Sequence, residues 1–456
     1  MPITKVLIAN RGEIACRVIR SCKKLGIKTV AVYSEADAKS LHVASADEAV
    51  AIGPAPAKQS YLVIDNILKA ARDTGADAIH PGYGFLAENS DFATAVAGAG
   101  MVWIGPTPQT IDDMGDKERA RQLAKDADVP VLTGSRRFEP GDVAGLEEAA
   151  QAVGFPLLVK AAAGGGGIGM RRVDGPGDVK TVVEATQALA EKAFGDGSVY
   201  LEKLIEKARH IEIQVFGFGD GRGVHMFERE CSIQRRYQKV VEESRAPNLP
   251  LEMLSKMAES AVALVRQERY RGAGTIEFVV DAVTGKYYFL EMNTRIQVEH
   301  PVTEAITGLD LVGLQIKLAG GDALRDLTQD KITATGHAVE LRIYAENPVK
   351  NFMPSPGPLK VFRLPPAGEG LRVDTGVREG DQISFHYDPM IAKMIAHGPS
   401  RLAAIDRMLK ALDGTTIDGV ATNIAFLKKL LSHPAFRAGD CWTGFIPAHA
   451  AELLQG

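Results

Sequence analysis

The chain has no run of about 18 apolar residues, so nothing in it predicts a membrane-spanning helix. Its N-terminus, MPITKVLIAN, lacks the separate basic, apolar and cleavage regions of a signal peptide. Charge of one sign is also missing. A net charge of −4 at pH 7 gives no electrostatic case for nucleic acid or an anionic membrane as partner. Cysteine is scarce: Cys16, Cys22, Cys231 and Cys441 form no CxxC pair and have no histidine at zinc spacing. Scattered thiols in a chain of this size suit a reducing compartment, and the cytoplasm is expected. There is no internal repeat and no low-complexity segment. The turn after the first strand, NRGE, is not GxGxxG, so no dinucleotide fingerprint stands there.

What is present is a soluble globular composition, 45% hydrophobic and 24% charged over 456 residues, long enough for several domains. KVLIAN reads as a buried first strand, EIACRVIRSCKKLG as an amphipathic helix ending at Gly26, and KTVAVYS as a second strand. The unit repeats through DNILKAARDTGADAIHPGYG and FATAVAGAGMVWIGP, which predicts a parallel sheet with helices to about residue 110. Between roughly 115 and 330 the pattern changes to a helix, DKERARQLAKDADVP, followed by short strands and β-rich segments. After about 335 strand signals dominate in HAVELRIYA, LKVFRLP, LRVDTGV and DQISFHYD, and two helical patterns close the chain. The expected organisation is an N-terminal α/β domain (1–115), a central α+β domain (116–330) and a C-terminal β-rich domain (331–456).

LLVKAAAGGGGIGMRRV holds Gly164, Gly166 and Gly169 at GxGxxG spacing. A Rossmann turn needs a helix directly after the glycines, and MRRVDGPGD is instead strand-like and then turn-forming. A Walker A loop needs Gly-Lys-Ser/Thr, and Met170 and Arg171 exclude it. Two readings stay open: an ordinary glycine-rich loop, or a flap between antiparallel strands whose backbone N–H groups close over phosphates. Lys160, ending the strand LLVK, is placed to reach a phosphate as a point charge.

In GTIEFVVDAVTGKYYFLEMN two apolar runs flank the turn DAVTGK. Centring the hairpin on Thr284 sets Glu277 opposite Glu291. Two ionised carboxylates about 5 Å apart repel by about 3 kcal/mol at an effective dielectric near 20. Either one acid is protonated, or a cation lies between them, or the hairpin is half-exposed and the pair faces water. With the oxygen of Asn293 on the same face and no His or Cys, the set fits Mg²⁺ or Mn²⁺. If the chain stays extended, Arg295, Gln297 and Glu299 continue along that face, an anion clamp and then a base.

HPGYGFLAENSDFA, KAAAGGGGIGM, CSIQRRYQKVVEES, EMNTRIQVEHPVTE and GHAVELRIYAENP, in this order, resemble biotin carboxylase, the ATP-grasp component of biotin-dependent carboxylases. The resemblance runs from NRGEIACRVIR to TNIAFL, nearly the whole chain. It implies an ATP-grasp central domain with a mobile Gly-rich lid (about 131–204) behind an N-terminal Rossmann-like parallel sheet. Lys117 and Lys160 would contact ATP phosphates beneath Gly166 and Gly167. Glu202, Lys203 and Leu204 would recognise adenine, with His210 and Gln234 lining the pocket. Glu277, Glu291 and Asn293 would be the metal ligands. Lys239, Arg295, Gln297 and the Val298 backbone would hold bicarbonate, and Glu299 would deprotonate it. Arg342 would stabilise the biotin enolate, with Tyr83 nearby. Tyr237, Ser244-Arg245 and Ile168 depart from the family pattern.

Without the resemblance, Arg235, Arg236 and Lys239 read as a solvated basic face, Arg342 as a surface ion-pair partner, and His80 and His300 as structural. The rivals are another ATP-grasp carboxylate ligase, a non-catalytic nucleotide-binding subunit, and a nicotinamide dehydrogenase disfavoured by the context of the glycines. The nearest thing to a biotin acceptor triplet, Ala392-Lys393-Met394, lies in strand-like IAKMIA. A separate biotin carboxyl carrier protein and a carboxyltransferase, or a longer parent chain, are therefore implied, as is a homodimer.

Overall fold

The computed structural model describes residues 2–162 and 169–454. Five parallel strands open the chain: β1 (Lys5–Ile8), β2 (Lys28–Ser34), β3 (Glu48–Gly53), β4 (Ala78–His80) and β5 (Val102–Trp103). Their order is β3-β2-β1-β4-β5, every neighbour parallel. Strands covered on both faces read as continuous apolar runs, which is why VLI and TVAV show no alternation. The helix Gly12–Lys24 packs on this sheet through Ile14, Ala15, Val18, Ile19 and Cys22, one helical face.

A small antiparallel sheet follows, β6 (Leu157–Ala161), β7 (Met170–Val173) and β8 (Val199–Lys203), in the order β7-β6-β8. Lys160 pairs with Met170, so the glycine cluster joins two antiparallel strands, as the flap reading requires. Gly164, Gly166, Gly167 and Ile168 themselves lie outside the described residues.

The largest element is an antiparallel sheet of eight strands. They are β9 (Ala208–Phe218), β10 (Gly223–Arg235), β11 (Gln238–Ser244), β12 (Arg271–Asp281), β13 (Tyr287–Asn293), β14 (His337–Tyr344), β15 (Leu371–Thr375) and β16 (Met390–Gly398). Their order is β13-β12-β9-β10-β11-β14-β16-β15. The ladder from β11 to β14, Val241↔Leu341 through Ser244↔Ala338, carries the sheet unbroken past residue 330. The segment DQISFHYD is a strand only at Gln382–Ile383; the His386 N–H turns back to Ser384 Oγ, leaving Phe385 exposed.

Alternation along these strands separates two faces. One is apolar. Ile211, Ile213, Val215, Ile276, Phe278 and Val280 pack under the helix Leu251–Gln267, and Val339, Leu341, Met394 and Ala396 under the helix Arg401–Asp413. The other face carries buried ionisable groups: Glu212, Glu277, Glu242, Glu340, Arg342 and Lys393. Polar groups held this far from water need partners, and those partners define the site.

Candidate active site

Across four adjacent strands the register sets Glu291, Glu277, Glu212 and Arg229 side by side. The pairing of Glu277 with Glu291 is the expected one, although a bulge immediately follows it and shifts the rest of the hairpin by one residue. Arg229 is fully buried and satisfies the neighbouring polar groups. It donates to Glu212, to Gln214 Oε1, to Thr303 and Thr275 hydroxyls at 3.0 Å, and to Gln297 Oε1 at 2.6 Å. Neither Arg229 nor Glu212 was singled out in the sequence. Glu212 did leave a signal, a lone charge between Ile211 and Ile213 in an otherwise buried run.

Lys239, read from the sequence alone as part of a solvated face, is instead enclosed by three carboxylates. Its Nζ donates to Glu212 Oε2 at 2.6 Å, Glu277 Oε1 at 2.9 Å and Glu299 Oε1 at 2.6 Å. The second oxygen of Glu299 meets Arg342 at 3.1 Å. Arg342 also donates through Nε to Glu242 Oε1 at 2.6 Å, so it is a buried partner and not a surface one. Burial opposes ionisation of Glu299, but Lys239, Arg342 and Arg229 outweigh it and hold the carboxyl well below the usual range. Burial pushes Glu242 up to about 7 despite Arg342.

Glu277 Oε1 also accepts from Asn293 Nδ2 at 3.0 Å and Gln297 Nε2 at 2.8 Å, and its Oε2 lies 2.9 Å from His210 Nε2. Burial works against its charge, yet Lys239 and His210 keep it well below normal. Glu291 is pushed the other way, first by burial and then by the charge of Glu277, with Lys117 opposing. A hard dication between the two carboxylates would relieve that stress, so the donor set fits Mg²⁺ or Mn²⁺ at Glu277 and Glu291. The Asn293 oxygen is turned instead to Arg295, which donates to it at 2.8 Å.

The strand ends at Asn293, so the expected alternation does not carry Arg295, Gln297 and Glu299. The chain turns before the helix His300–Thr307, which begins with Pro301 in its first turn. That turn still delivers Gln297 to Glu277 and Glu299 to Lys239, while Arg295 spans from Asn293 to Glu88 Oε2 at 2.8 Å.

The remaining expected residues make separate contacts of their own. Buried Lys160 pairs with Glu202, and burial lowers Lys117 while Glu291 pulls it up. The Lys117 Nζ reaches Ala161 O at 3.5 Å. The Lys203 and Leu204 N–H groups are taken by Thr133 O at 2.9 Å and Pro156 O at 3.2 Å. His210 and Gln234 touch at 3.0 Å through Nδ1 and Nε2. Tyr83 donates to Glu13, whose carboxylate lies 3.1 Å from Lys393 Nζ. Lys393 is itself fully buried and donates to Val298 O at 2.6 Å, which removes it from any modifying enzyme.

Among the departures, Tyr237 points outward on a two-residue turn in which both Arg236 and Tyr237 have positive φ. Ser244 donates to Glu228 O at 2.7 Å, and Arg245 to Glu228 Oε1 at 3.0 Å.

Residues 2–111 match the family described as biotin carboxylase, N-terminal domain. Residues 116–327 match carbamoyl-phosphate synthase L chain, ATP binding domain, and residues 340–448 match biotin carboxylase C-terminal domain. The chain is 50% identical over 450 residues to biotin carboxylase 1 of Bacillus subtilis, covering 98% of this chain and 99% of that protein. It is 48% identical over 452 residues to the mitochondrial methylcrotonoyl-CoA carboxylase subunit alpha of Mus musculus, covering 99% of this chain. It spans only 63% of that subunit's length. Among solved structures it resembles the biotin carboxylase domain dimer of Hydrogenobacter thermophilus 2-oxoglutarate carboxylase, bound to MgADP, ADP and bicarbonate. The TM-score is 0.94 at 43% identity, with both chains covered completely. Biotin carboxylase of Campylobacter jejuni in complex with β,γ-ATP gives a TM-score of 0.94 at 41% identity, covering 98% of this chain and 99% of that one.

Proposed function

The chain belongs to the biotin carboxylase family, and we propose that it carboxylates biotin with ATP and bicarbonate. The observation that carries this reading is the buried relay Lys239–Glu299–Arg342 beside the opposed Glu277 and Glu291. An anion entering there meets Lys239, Arg295 and Arg342 as cations and Glu299 as its proton acceptor.

Bicarbonate is a poor nucleophile until its remaining proton is removed. Glu299 is ionised and 2.6 Å from Lys239, so a base and an anion-binding cation share one small volume. With Lys239 bonded to it Glu299 is a weak base; once Lys239 turns to the anion, Glu299 regains basicity. The dianion attacks the γ-phosphate of ATP, ADP leaves as the β,γ bond breaks, and the carboxyphosphate formed breaks down to CO₂ and phosphate. Phosphate takes the ureido proton of biotin, the enolate attacks CO₂, and Arg342 offsets the enolate charge. Glu277 and Glu291 would hold a dication, which would supply charge neutralisation at the phosphates. Lys117 and Lys160 face the same phosphates, and Glu202, Lys203, Leu204, His210 and Gln234 line the nucleotide pocket.

The carboxyl acceptor is biotin on a carrier protein, passed on to a carboxyltransferase. Residues 1–115, 116–330 (lid about 131–204) and 331–456 act as three functional units, and the chain works as a homodimer. Its four unpaired cysteines suit the cytoplasm. Among the described residues no helix is long and apolar enough to cross a membrane. Release of ADP that needs bicarbonate and rises with biotin tests the reading.

A further inference from the structure

Two successive carbonyls in the turn before helix His300–Thr307 are clamped by side chains. His300 Nδ1 lies 2.7 Å from Gln297 O, and Lys393 Nζ donates to Val298 O at 2.6 Å. Both side chains are fully buried. A carbonyl oxygen only accepts, so the imidazole proton sits on Nδ1 and Nε2 is left bare. That tautomer agrees with the buried Nε2, which makes no hydrogen bond among the described residues.

A trans peptide is planar, with its N–H directed opposite its C=O. Holding the Gln297 carbonyl therefore aims the Val298 N–H the other way, and holding the Val298 carbonyl does the same for the Glu299 N–H. Neither N–H hydrogen-bonds to another described residue. Consecutive free N–H groups form an anion-binding concavity, and here they lie between Gln297 and Glu299, whose side chains reach Glu277 and Lys239. The clamps come from two different places, the helix that follows the turn and strand β16. Through Glu13, 3.1 Å from Lys393, the second clamp also reaches the N-terminal domain.

We propose that His300 and Lys393 are positioning residues for the bicarbonate site, holding the 297–298 and 298–299 peptides so that two backbone N–H groups face the anion. This rests on the bicarbonate reading above. Neither side chain touches the substrate; each acts through a carbonyl.

His300→Leu, which removes the donor, and His300→Asn, which returns one at the Nδ1 position, are compared with wild type for bicarbonate-dependent ADP release. Loss of one hydrogen bond to a charged group corresponds to about tenfold or more. The KM for bicarbonate is expected to rise by about that factor in His300→Leu. The KM for ATP stays within about twofold, and His300→Asn restores most of the bicarbonate affinity. Lys393→Met strands Glu13 as well, so the histidine variants carry the test. An unchanged bicarbonate KM in His300→Leu overturns the inference. So does a parallel rise in both KM values, or no rescue by Asn, since either assigns His300 to folding alone. A wild-type chain that cleaves ATP without regard to bicarbonate overturns the underlying reading, and the inference with it.

Discussion

Lys239 and Glu299 are joined by a 2.6 Å hydrogen bond between groups supplied by a strand and by a turn 60 residues later in the chain. The lysine holds two further carboxylates and the glutamate a second cation, Arg342. Charges so connected and so buried are not set up for stability alone, because pairing recovers little beyond the cost of desolvation.

Replacing Glu299 with Gln keeps the shape of the relay and removes the proposed proton acceptor. Bicarbonate-dependent ADP release is expected to fall by about 10²–10⁴-fold. The KM for ATP stays near the wild-type value. Steady-state kinetics at saturating Mg²⁺ check both.

Glu291→Gln removes one of two opposed carboxylates. In cation-free buffer the variant is expected to melt higher than wild type, because burial and Glu277 both disfavour the ionised Glu291. Addition of Mg²⁺ with nucleotide stabilises wild type and has little effect on the variant. Thermal denaturation with and without the cation separates the two effects.

Arg229→Met leaves buried Glu212 with Lys239 but without its arginine, and removes five hydrogen bonds. A loss of about 3–5 kcal/mol of stability is expected, as for a buried ion pair broken on one side. Urea unfolding of the purified protein measures it.

Burial lowers His80 from 6.5 to about 4. As pH falls, the unfolded chain takes up this proton first, so the folded state loses stability from about pH 6.5 down to about 4. His80→Gln lacks that term. The variant is less stable at pH 7, where it loses the acceptor of the Gly82 N–H, and its gap to wild type narrows on acidification through that window. Melting temperatures of both proteins across that range show whether the gap closes.

How much of this was legible in the sequence depended on whether alternation survived. The hairpin of Glu277 and Glu291 was readable because one glutamate interrupts each of two apolar runs, and the bulge between this pair and the turn sets the two opposite each other. Beyond Asn293 the period fails, since the approach to a proline-led helix replaces the strand, yet the turn returns Gln297 and Glu299 to the same site. Arg229 was hidden for a related reason. Register shifts on both sides of it, between His225 and Glu228 and between Glu230 and Ile233, leave FERE without a readable face. The continuity of the sheet from β11 to β14 joins residues about a hundred apart, and no local pattern encodes such a pairing. The proposed roles of Lys239 and Arg342 rest on the family resemblance; unaided, both read as solvated cations, because sequence pattern does not show which carboxylates surround a charge.

The most direct test is ADP release with Mg²⁺, ATP and bicarbonate, with and without free biotin, on wild type and Arg342→Ala. Biotin carboxylation predicts bicarbonate-dependent turnover in wild type that biotin accelerates, with the acceleration lost or sharply weakened in the variant. Turnover indifferent to biotin in wild type would contradict it and point to a different carboxylate as the group activated by ATP.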